Sequence, residues 1–476
     1  MKFAVGSRPW VIANTDCIWG DNGKGRLTNN IILAVMQHFL SLFRREPRIA
    51  VVRSLGGANA GHEVVLGEAK HARHVLPSVY HPNVWMIIAA GTVVHPPWFL
   101  EEVEKAVAFD PNVRDWIRIS GRATVTMPWD RLEDRYREEA LGRGKIGTTQ
   151  RGIGPSYEGL ARRVQNVHFA MLQRPDWTEE YHRLRGEAIG RLVRLYAHLP
   201  EEGDATSQVE ASLAEIEDGF LDACAEIVQY VVECHELERI YEAADVAILE
   251  GNQGLGLHHL FGSRPFVTSA PTDPLSMASA AMLPPPDRVL YVAKCFATRV
   301  GAGPFPTKLD DPEATRLRET AREFGTTTGR PRDVGWFDLV FAEHALRCMA
   351  ARWLPAEAVG LGITKLDCLD GWGGRVRLAT AYDLNGSEIY HVPDDTASLA
   401  RCVPRYAEYD PWSGPSEQCR SFAELDEACR TFLLGDWEER SGLQGLLGVR
   451  LRVATAGPQP ENALWVDGDG RWLLPE

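Results

Sequence analysis

The stretch Trp19-Gly20-Asp21-Asn22-Gly23-Lys24-Gly25-Arg26 follows the first apolar run of the chain. Its glycines let the backbone approach phosphate oxygens closely, so that successive N–H groups can form an anion-binding nest. Lys24 adds a positive charge for phosphates, and Asp21 offers a carboxylate that can act as a base or bind Mg²⁺. The stretch differs from the common phosphate-binding loop, in which Gly-Lys is followed by Ser or Thr. Alone, it predicts either a phosphate site or an ordinary glycine-rich turn.

Short, nearly continuous apolar runs outside this stretch predict a parallel sheet buried on both faces. They lie at residues 49–53, 84–89, 246–250, 289–293 and 358–363. Helical patterns lie between them, at residues 30–43, 99–107 and 338–351. The alternation predicts an α/β fold: one large domain with a central, mostly parallel sheet flanked by helices, and a core like that of phosphate-loop NTPases with helical insertions.

We expect residues 1–476 to form this one domain. Residues 177–245 are rich in Glu, Ala, Leu and Arg with helical periodicity, which predicts a helical insertion between two strands of the sheet.

The composition is that of a globular protein, with 45% hydrophobic and 24% charged residues. A net charge of −14 argues against a nucleic-acid-binding surface. The nine cysteines lack paired metal-ligand spacing, so reduced thiols and a cytoplasmic location are expected. We recognise no signal peptide, and the apolar run at 84–94 is too short to cross a bilayer, so no membrane partner is expected.

Two loops carry polar residues that suit phosphate ligands. The loop at 56–62 ends in His62, which can donate to a phosphoryl oxygen or act as a general acid, or can be an ordinary turn histidine. The loop at 147–155 combines threonine hydroxyls with glycine amides, which suits a phosphate monoester.

Two further loops suit a carboxylate ligand and a guanine base. Arg330 and Arg332, in the loop at 326–332, can clamp carboxylates in bidentate fashion, although a solvated basic turn is the alternative. Lys365 and Asp367 follow an apolar strand. A carboxylate there can accept from guanine N1–H and the 2-amino group while the lysine stem stacks on the base, which favours GTP over ATP.

The ordered set of motifs resembles the adenylosuccinate synthetase family, GTP-dependent ligases that join IMP and L-aspartate. Matches run in family order from about residue 12 to 460. They are Trp-Gly-Asp-x-Gly-Lys-Gly, Gly-Gly-x-Asn-Ala-Gly-His, Gly-Thr-Thr-x-Arg-Gly-Ile-Gly-Pro, Glu-Gly-x-Gln-Gly, the run at 298–307, Thr-Thr-Gly-Arg-Pro-Arg, Thr-Lys-Leu-Asp, and Thr-Ala-Gly-Pro at 455–458.

The resemblance implies a two-step reaction. Asp21 removes the N1 proton of IMP and binds Mg²⁺ together with the carbonyl of Gly61. The resulting 6-oxyanion attacks the γ-phosphate of GTP, and the amino group of L-aspartate then displaces phosphate from C6. The catalytic residues implied are Asp21, Lys24, His62 and Gln253.

The resemblance also implies three sets of binding residues. GTP would contact Gly20, Gly23, Lys24, Gly25, Arg26, Gly61, Lys365, Asp367, Thr455 and Gly457. The acceptor nucleotide would contact Asp21, Asn59, Thr149, Arg162, Gln253, Thr268 and Arg330. L-aspartate would contact Thr326, Thr327, Thr328, Arg330 and Arg332. The family borrows one arginine from a neighbouring subunit, here Arg162 or Arg163 with Arg162 preferred, so a homodimer is expected.

Departures from the family pattern cluster on the acceptor side. Asn22 replaces the usual Glu, Ile18 the usual Gln and Gln150 the common Gly, and residues 255–263 replace an acidic stretch ending in Asp-His-Gly-Thr. Two alternatives therefore remain: a (d)GMP acceptor, giving a 2-aminoadenylosuccinate, or a catalytically silent nucleotide-binding homologue. The presence of Asp21 favours a 6-oxopurine acceptor handled in the usual way, with IMP first.

Overall fold

The structure, a computed structural model, describes residues 8–66, 69–163, 166–196, 204–299, 301–324, 329, 331–349 and 351–475. In chain order its strands are β1 Trp10–Asp16, β2 Ile49–Gly56, β3 His62–Leu66, β4 Ala69–Arg73, β5 Val84–Val94, β6 Ile117–Ser120, β7 Thr124–Val125, β8 Val231–Val232, β9 Val246–Glu250, β10 Arg288–Lys294, β11 Ala297–Arg299, β12 Asp333–Gly335, β13 Phe337–Asp338, β14 Val359–Thr364, β15 Val376–Leu384, β16 Ser387–Ile389, β17 Val403–Tyr409, β18 Leu451–Thr455 and β19 Ala463–Trp465.

Its α-helices are α1 Lys24–Phe43, α2 Pro96–Val107, α3 Pro128–Ala140, α4 Ile153–Arg162, α5 Trp177–Tyr196, α6 Ala205–Glu217, α7 Phe220–Ile227, α8 Cys234–Ala243, α9 Pro274–Ala280, α10 Glu313–Thr320, α11 Leu339–Cys348, α12 Thr396–Leu399, α13 Glu427–Leu434 and α14 Gly442–Leu447. In the described chain, no helix has the length and apolar character needed to span a bilayer.

An 11-stranded sheet organises the described chain, in the order β19-β18-β14-β10-β1-β9-β2-β5-β6-β8 with β7 paired to β5. Its strand pairs are parallel, apart from the antiparallel edge pair β18–β19. The predicted α/β fold with a central, mostly parallel sheet is therefore confirmed. Strand β1 lies between β9 and β10, which places the loop that follows it near the middle of one sheet edge.

The sheet is buried on both faces, as the continuous apolar runs predict. Along β1, Ile12 packs into one apolar cluster with Leu27 of α1. Its neighbours Val11 and Ala13 pack into the opposite cluster with Phe341 of α11. Burying each large apolar side chain contributes about 1.5–3 kcal/mol. The two clusters together hold the strand ends in fixed positions.

The predicted runs coincide with β2, β5, β9, β10 and β14, and the helical patterns with α1, α2 and α11. The largest difference is at α1, which begins at Lys24 rather than at residue 30. Gly23 has a left-handed conformation with φ 91°, which ends the preceding loop. The polar side chains of Thr28 and Asn29 are buried, and they conceal the helical periodicity before residue 30.

In its described residues, segment 177–245 contains α5 to α8 and also strand β8, which pairs with β6 at the edge of the sheet. Arg191 of α5 donates to Glu133 of α3 at 2.8 Å, which holds the segment against the rest of the fold. Its status as an insertion within a single domain stays a prediction.

Candidate active site

Four neighbouring strands end in buried polar side chains at the same edge of the sheet. Strand β1 ends at Asp16, β9 at Glu250, β10 at Lys294 and β14 at Thr364. Ligands of open α/β sheets bind outside the carboxyl ends of the strands. This edge is therefore the candidate site. The first loop follows β1, the Gln253 loop follows β9, and Lys365 and Asp367 follow β14.

The first loop turns sharply before α1. Gly20, Asp21 and Gly23 have positive φ values of 97°, 56° and 91°. A side chain on Gly25 would meet His62 and Ser78, because an added Cβ would lie 2.9 Å from atoms of each. The loop therefore brings the N–H groups at the start of α1 to the sheet edge, where the helix dipole favours an anion.

Lys24 forms a buried ion pair with Asp16 at the end of β1. Burial raises the pKa of Asp16, and the adjacent Lys24 charge opposes the rise. The side chain of Asn14 donates to the Lys24 carbonyl at 2.8 Å, which ties strand to helix. The predicted phosphate-binding lysine is thus held by an internal carboxylate at the base of the loop.

The Gln253 loop packs directly against the first loop. The Gly256 N–H donates to the Ile18 carbonyl at 2.8 Å. A Cβ on Gly254 would lie 2.3 Å from the same carbonyl oxygen, and a Cβ on Gly20 would lie 3.7 Å from Gln253 Cα. The structure therefore brings Asp21 and Gln253, both predicted to be catalytic, onto adjacent loops.

His62 belongs to a buried polar network centred on Glu250. The Glu250 carboxylate bonds His62 Nδ1 and accepts from the N–H and hydroxyl of Ser78, each at 2.9 Å. Arg53 Nη1 lies 3.2 Å from the same carboxylate. Burial and the Arg53 charge lower the pKa of His62 to about 4. Burial raises the pKa of Glu250, but His62 and Arg53 outweigh it and lower that pKa to about 2.

Asp21 lies at one end of a second charged cluster. Arg332 bridges Asp21 and Glu323, with N–O distances of 2.7 and 2.8 Å. Glu323 also contacts Lys294 at 2.7 Å and Lys365 at 2.9 Å. Burial raises the pKa of Asp21, but the Arg332 charge, with Lys24 and Lys294, holds it below its usual value. Burial lowers the pKa of Lys294 to about 8.

Some predicted acceptor contacts lie together. Asn59 donates to the Thr268 hydroxyl at 3.3 Å. Arg151, from the third loop, donates to the Ala58 carbonyl at 2.7 Å, which joins the second and third loops. Thr149, two residues before Arg151, is exposed on the third loop.

The third loop also shows how one departure is accommodated. Gln150 has φ 53°, a left-handed conformation that glycine, common at this position in the family, adopts without strain. At the end of α4, Arg162 is partly exposed and lies 3.8 Å from Glu158 of the same helix.

The predicted guanine-binding residues come from two strand ends. The Gly457 N–H donates to Asp367 at 2.6 Å. Arg26 of α1 donates to the carbonyls of Gly457 and Gln459, and so joins the first loop to this region. Thr455 is the buried last residue of β18. Thr326, Thr327, Thr328 and Arg330 lie outside the described residues.

The donor set suits Mg²⁺ only in part. Asp21 is about one-quarter exposed and Gly61 is half-buried, so neither residue is fully enclosed by the protein. Within the described ranges, no group of three or more His, Cys, Asp or Glu side chains could hold a metal. Mg²⁺ commonly takes one or two protein oxygens and completes its shell with substrate phosphates and water. The residues present fit a Mg²⁺ ion that binds together with a nucleotide.

The sequence analysis gave no functional role to Arg53, Glu250, Lys294 or Glu323, although Glu250 is the first residue of the motif Glu-Gly-x-Gln-Gly. Glu250 and Lys294 carry a signal that could have found them, since each is a charged residue at the carboxyl end of an apolar run. Arg53 ends the predicted run at 49–53 in the same way. Glu323 carries no comparable local signal.

Comparisons with known proteins agree with this geometry. A family model described as adenylosuccinate synthetase matches residues 15–463. The adenylosuccinate synthetase of Magnetococcus marinus is 34% identical over 460 residues, covering 94% of this chain and 96% of that protein. The adenylosuccinate synthetase of Lactobacillus acidophilus is 34% identical over 455 residues, with the same coverage.

Two solved structures have similar folds. Fully ligated adenylosuccinate synthetase from Plasmodium falciparum is 26% identical, with a TM-score of 0.78 over 97% of this chain and 100% of that one. Cyanophage S-2L succinoaminodeoxyadenylate synthetase, bound to dGMP and to dATP as an energy donor, is 16% identical, with a TM-score of 0.54 over 98% and 100%. The second likeness concerns the fold alone.

Proposed function

The chain belongs to the adenylosuccinate synthetase family, a family of ligases, and on that premise we propose that it uses GTP to join L-aspartate to C6 of a 6-oxopurine nucleoside monophosphate, with IMP as the acceptor. The observation that supports this most strongly is the 2.7 Å contact between Asp21 and Arg332. Asp21 is the proposed base and Arg332 the proposed carboxylate clamp, and their proximity supports a reaction that brings purine and amino acid together.

In the first step, Asp21 accepts the N1 proton of the acceptor. Its lowered pKa keeps the carboxylate ionised at neutral pH, so it is ready to accept a proton. The 6-oxyanion then attacks the γ-phosphorus of GTP, forming a C6–O–P linkage and releasing GDP. Gln253 contacts the acceptor, and His62, held by Glu250, stabilises the transferring phosphoryl group.

In the second step, the amino nitrogen of L-aspartate attacks C6. The C6–O bond breaks and its oxygen leaves with inorganic phosphate, while the nitrogen loses a proton. Arg332 binds a substrate carboxylate, which takes the place of an internal carboxylate at the guanidinium. Phosphorylation is needed because phosphate is a far better leaving group than oxide.

We propose that Asp21 and the Gly61 carbonyl hold Mg²⁺ together with the phosphates. When bound, this ion neutralises the charge that develops on the transferring phosphoryl group. Asp367, beside Gly457, reads the guanine edge of GTP. Lys24 and the N–H groups at the start of α1 bind its phosphates.

We further propose a homodimer in which Arg162 reaches the acceptor phosphate of the neighbouring subunit. Its partial exposure at the end of α4 supports this role. The free cysteines in the structure are compatible with a cytoplasmic location.

A phosphate-release assay tests the function. Release should require a nucleoside monophosphate, L-aspartate and GTP together, and Asp21→Ala should abolish it. Phosphate release from GTP without L-aspartate would contradict the proposal.

The same assay, run with IMP, GMP and dGMP, identifies the acceptor. Turnover with dGMP and not with IMP would favour the 2-aminoadenylosuccinate alternative. Nucleotide binding in calorimetry without turnover of any acceptor would identify a silent homologue.

A further inference from the structure

Glu323 is a buried carboxylate shared by three cations. Its side chain is 0% exposed and contacts Lys294 at 2.7 Å, Arg332 at 2.8 Å and Lys365 at 2.9 Å. Burial raises the pKa of Glu323, but the three positive charges outweigh it and hold the pKa below its usual value. The carboxylate is therefore ionised and acts as the common partner of the three cations.

The three cations come from different parts of the chain. Lys294 ends β10, Arg332 precedes β12, and Lys365 follows β14. Lys365 has φ 62° and also donates to the Ala321 carbonyl at 2.5 Å, so its side chain turns toward the Glu323 segment. One carboxylate thus joins the proposed L-aspartate clamp, Arg332, to Lys365 of the proposed guanine site.

The backbone fixes Glu323 at this position. Its N–H donates to the Arg318 carbonyl at 2.9 Å, and its carbonyl accepts from the Arg332 N–H at 3.0 Å. Arg318 Nε donates to the Arg332 carbonyl at 2.9 Å. A change in the partners of Arg332 is therefore transmitted to a carboxylate that cannot easily move away.

Arg332 is shared between two carboxylates, Glu323 and Asp21. A substrate carboxylate that binds Arg332 takes the place of an internal carboxylate at the guanidinium. When Arg332 turns to the substrate, Glu323 is left with Lys294 and Lys365 as its cationic partners.

We propose that Glu323 is a positioning residue that couples the L-aspartate site to the guanine nucleotide site. When L-aspartate binds Arg332, Glu323 holds Lys365 more firmly, and the nucleotide binds to a better-ordered base site. By linkage, the nucleotide strengthens L-aspartate binding by the same factor. This inference rests on the proposed function.

Calorimetry without turnover tests the coupling. GDP is titrated into the protein in the presence of saturating IMP, with and without L-aspartate, so that no phosphoryl group can be transferred. The wild-type Kd for GDP should fall by roughly fivefold or more when L-aspartate is added, as for a typical allosteric coupling. In Glu323→Gln the two Kd values should agree within twofold, since the uncharged amide cannot replace the carboxylate.

Glu319→Gln is the matched control, because Glu319 is an exposed glutamate at the end of α10; it should show wild-type coupling. If Glu323→Gln does not fold by circular dichroism, Glu323→Asp replaces it and should show an intermediate factor. Full coupling in the folded Glu323 variant, or no coupling in the wild type, would overturn the proposal. Wild-type phosphate release, measured in parallel, tests the proposed function separately.

Discussion

Replacing Glu250 by Gln removes the charge at the centre of the His62 network while nearly keeping the side-chain size. The carboxylate accepts from the Ser78 N–H and hydroxyl, bonds His62 Nδ1, and lies 3.2 Å from Arg53. A glutamine has one acceptor oxygen, and its amide N–H groups would face these donors. Arg53, 1% exposed, would then be a buried charge without its carboxylate.

The expected cost follows from this burial. Removing one partner of a buried ion pair destabilises a protein by about 3–5 kcal/mol, because the other charge is left uncompensated. Turnover should also fall by roughly 10²-fold or more, since His62 loses the group that orients its ring, and loss of one positioned hydrogen-bond donor to a transition state costs about that much.

Urea unfolding and phosphate release measure the two effects. Glu242→Gln provides the control, because it makes the same change on the exposed side of α8 and should alter the free energy of unfolding by less than about 0.5 kcal/mol. Unchanged stability of Glu250→Gln would refute the buried network. Reduced stability with wild-type turnover would refute the positioning of His62 by Glu250.

Gly254→Ala should lower turnover by roughly 10²-fold, because its Cβ would lie 2.3 Å from the Ile18 carbonyl oxygen and displace the first loop; Gly186→Ala, with open space around it, should retain wild-type turnover. Arg332→Lys should raise the KM for L-aspartate by roughly tenfold or more, since lysine cannot bind a carboxylate in bidentate fashion; an unchanged KM would exclude Arg332 from that site. Burial raises the pKa of Asp338 in the folded protein to about 6, whereas its ordinary pKa is 3.8. The folded state therefore loses stability as the pH rises from about 4 through 6, because the buried carboxyl group must ionise. Asp338→Asn should therefore gain about 2 kcal/mol relative to wild type between pH 4 and 7 in urea unfolding, and a difference independent of pH would contradict the assignment.

The strand pattern allowed most of the fold to be predicted, because strands buried on both faces are apolar along their whole length. The start of α1 was the exception, since Thr28 and Asn29 are polar yet buried. Their side chains donate to backbone carbonyls one turn earlier, Thr28 to Lys24 and Asn29 to Gly25, each at 3.0 Å. Sequence periodicity carries no information about such contacts.

The loops of the site could be identified from the sequence, but their internal ion pairs could not. Glu323 meets Lys294 and Lys365 through contacts between segments distant in the chain, and no local pattern marks it. At Asn22, by contrast, the sequence departs from the family pattern but the contact to the rest of the protein is made by the main chain. The Asn22 carbonyl accepts from the Thr364 hydroxyl at 2.8 Å, and this bond does not depend on the identity of the side chain.

In the proposed reaction, the 6-oxygen of the purine leaves as part of inorganic phosphate. IMP labelled with ¹⁸O at the 6-position, incubated with GTP, Mg²⁺ and L-aspartate, tests it directly by mass spectrometry of the products. We predict one ¹⁸O atom in each phosphate released and an unlabelled succinyl nucleotide. Unlabelled phosphate, with the ¹⁸O still on the purine, would contradict this mechanism.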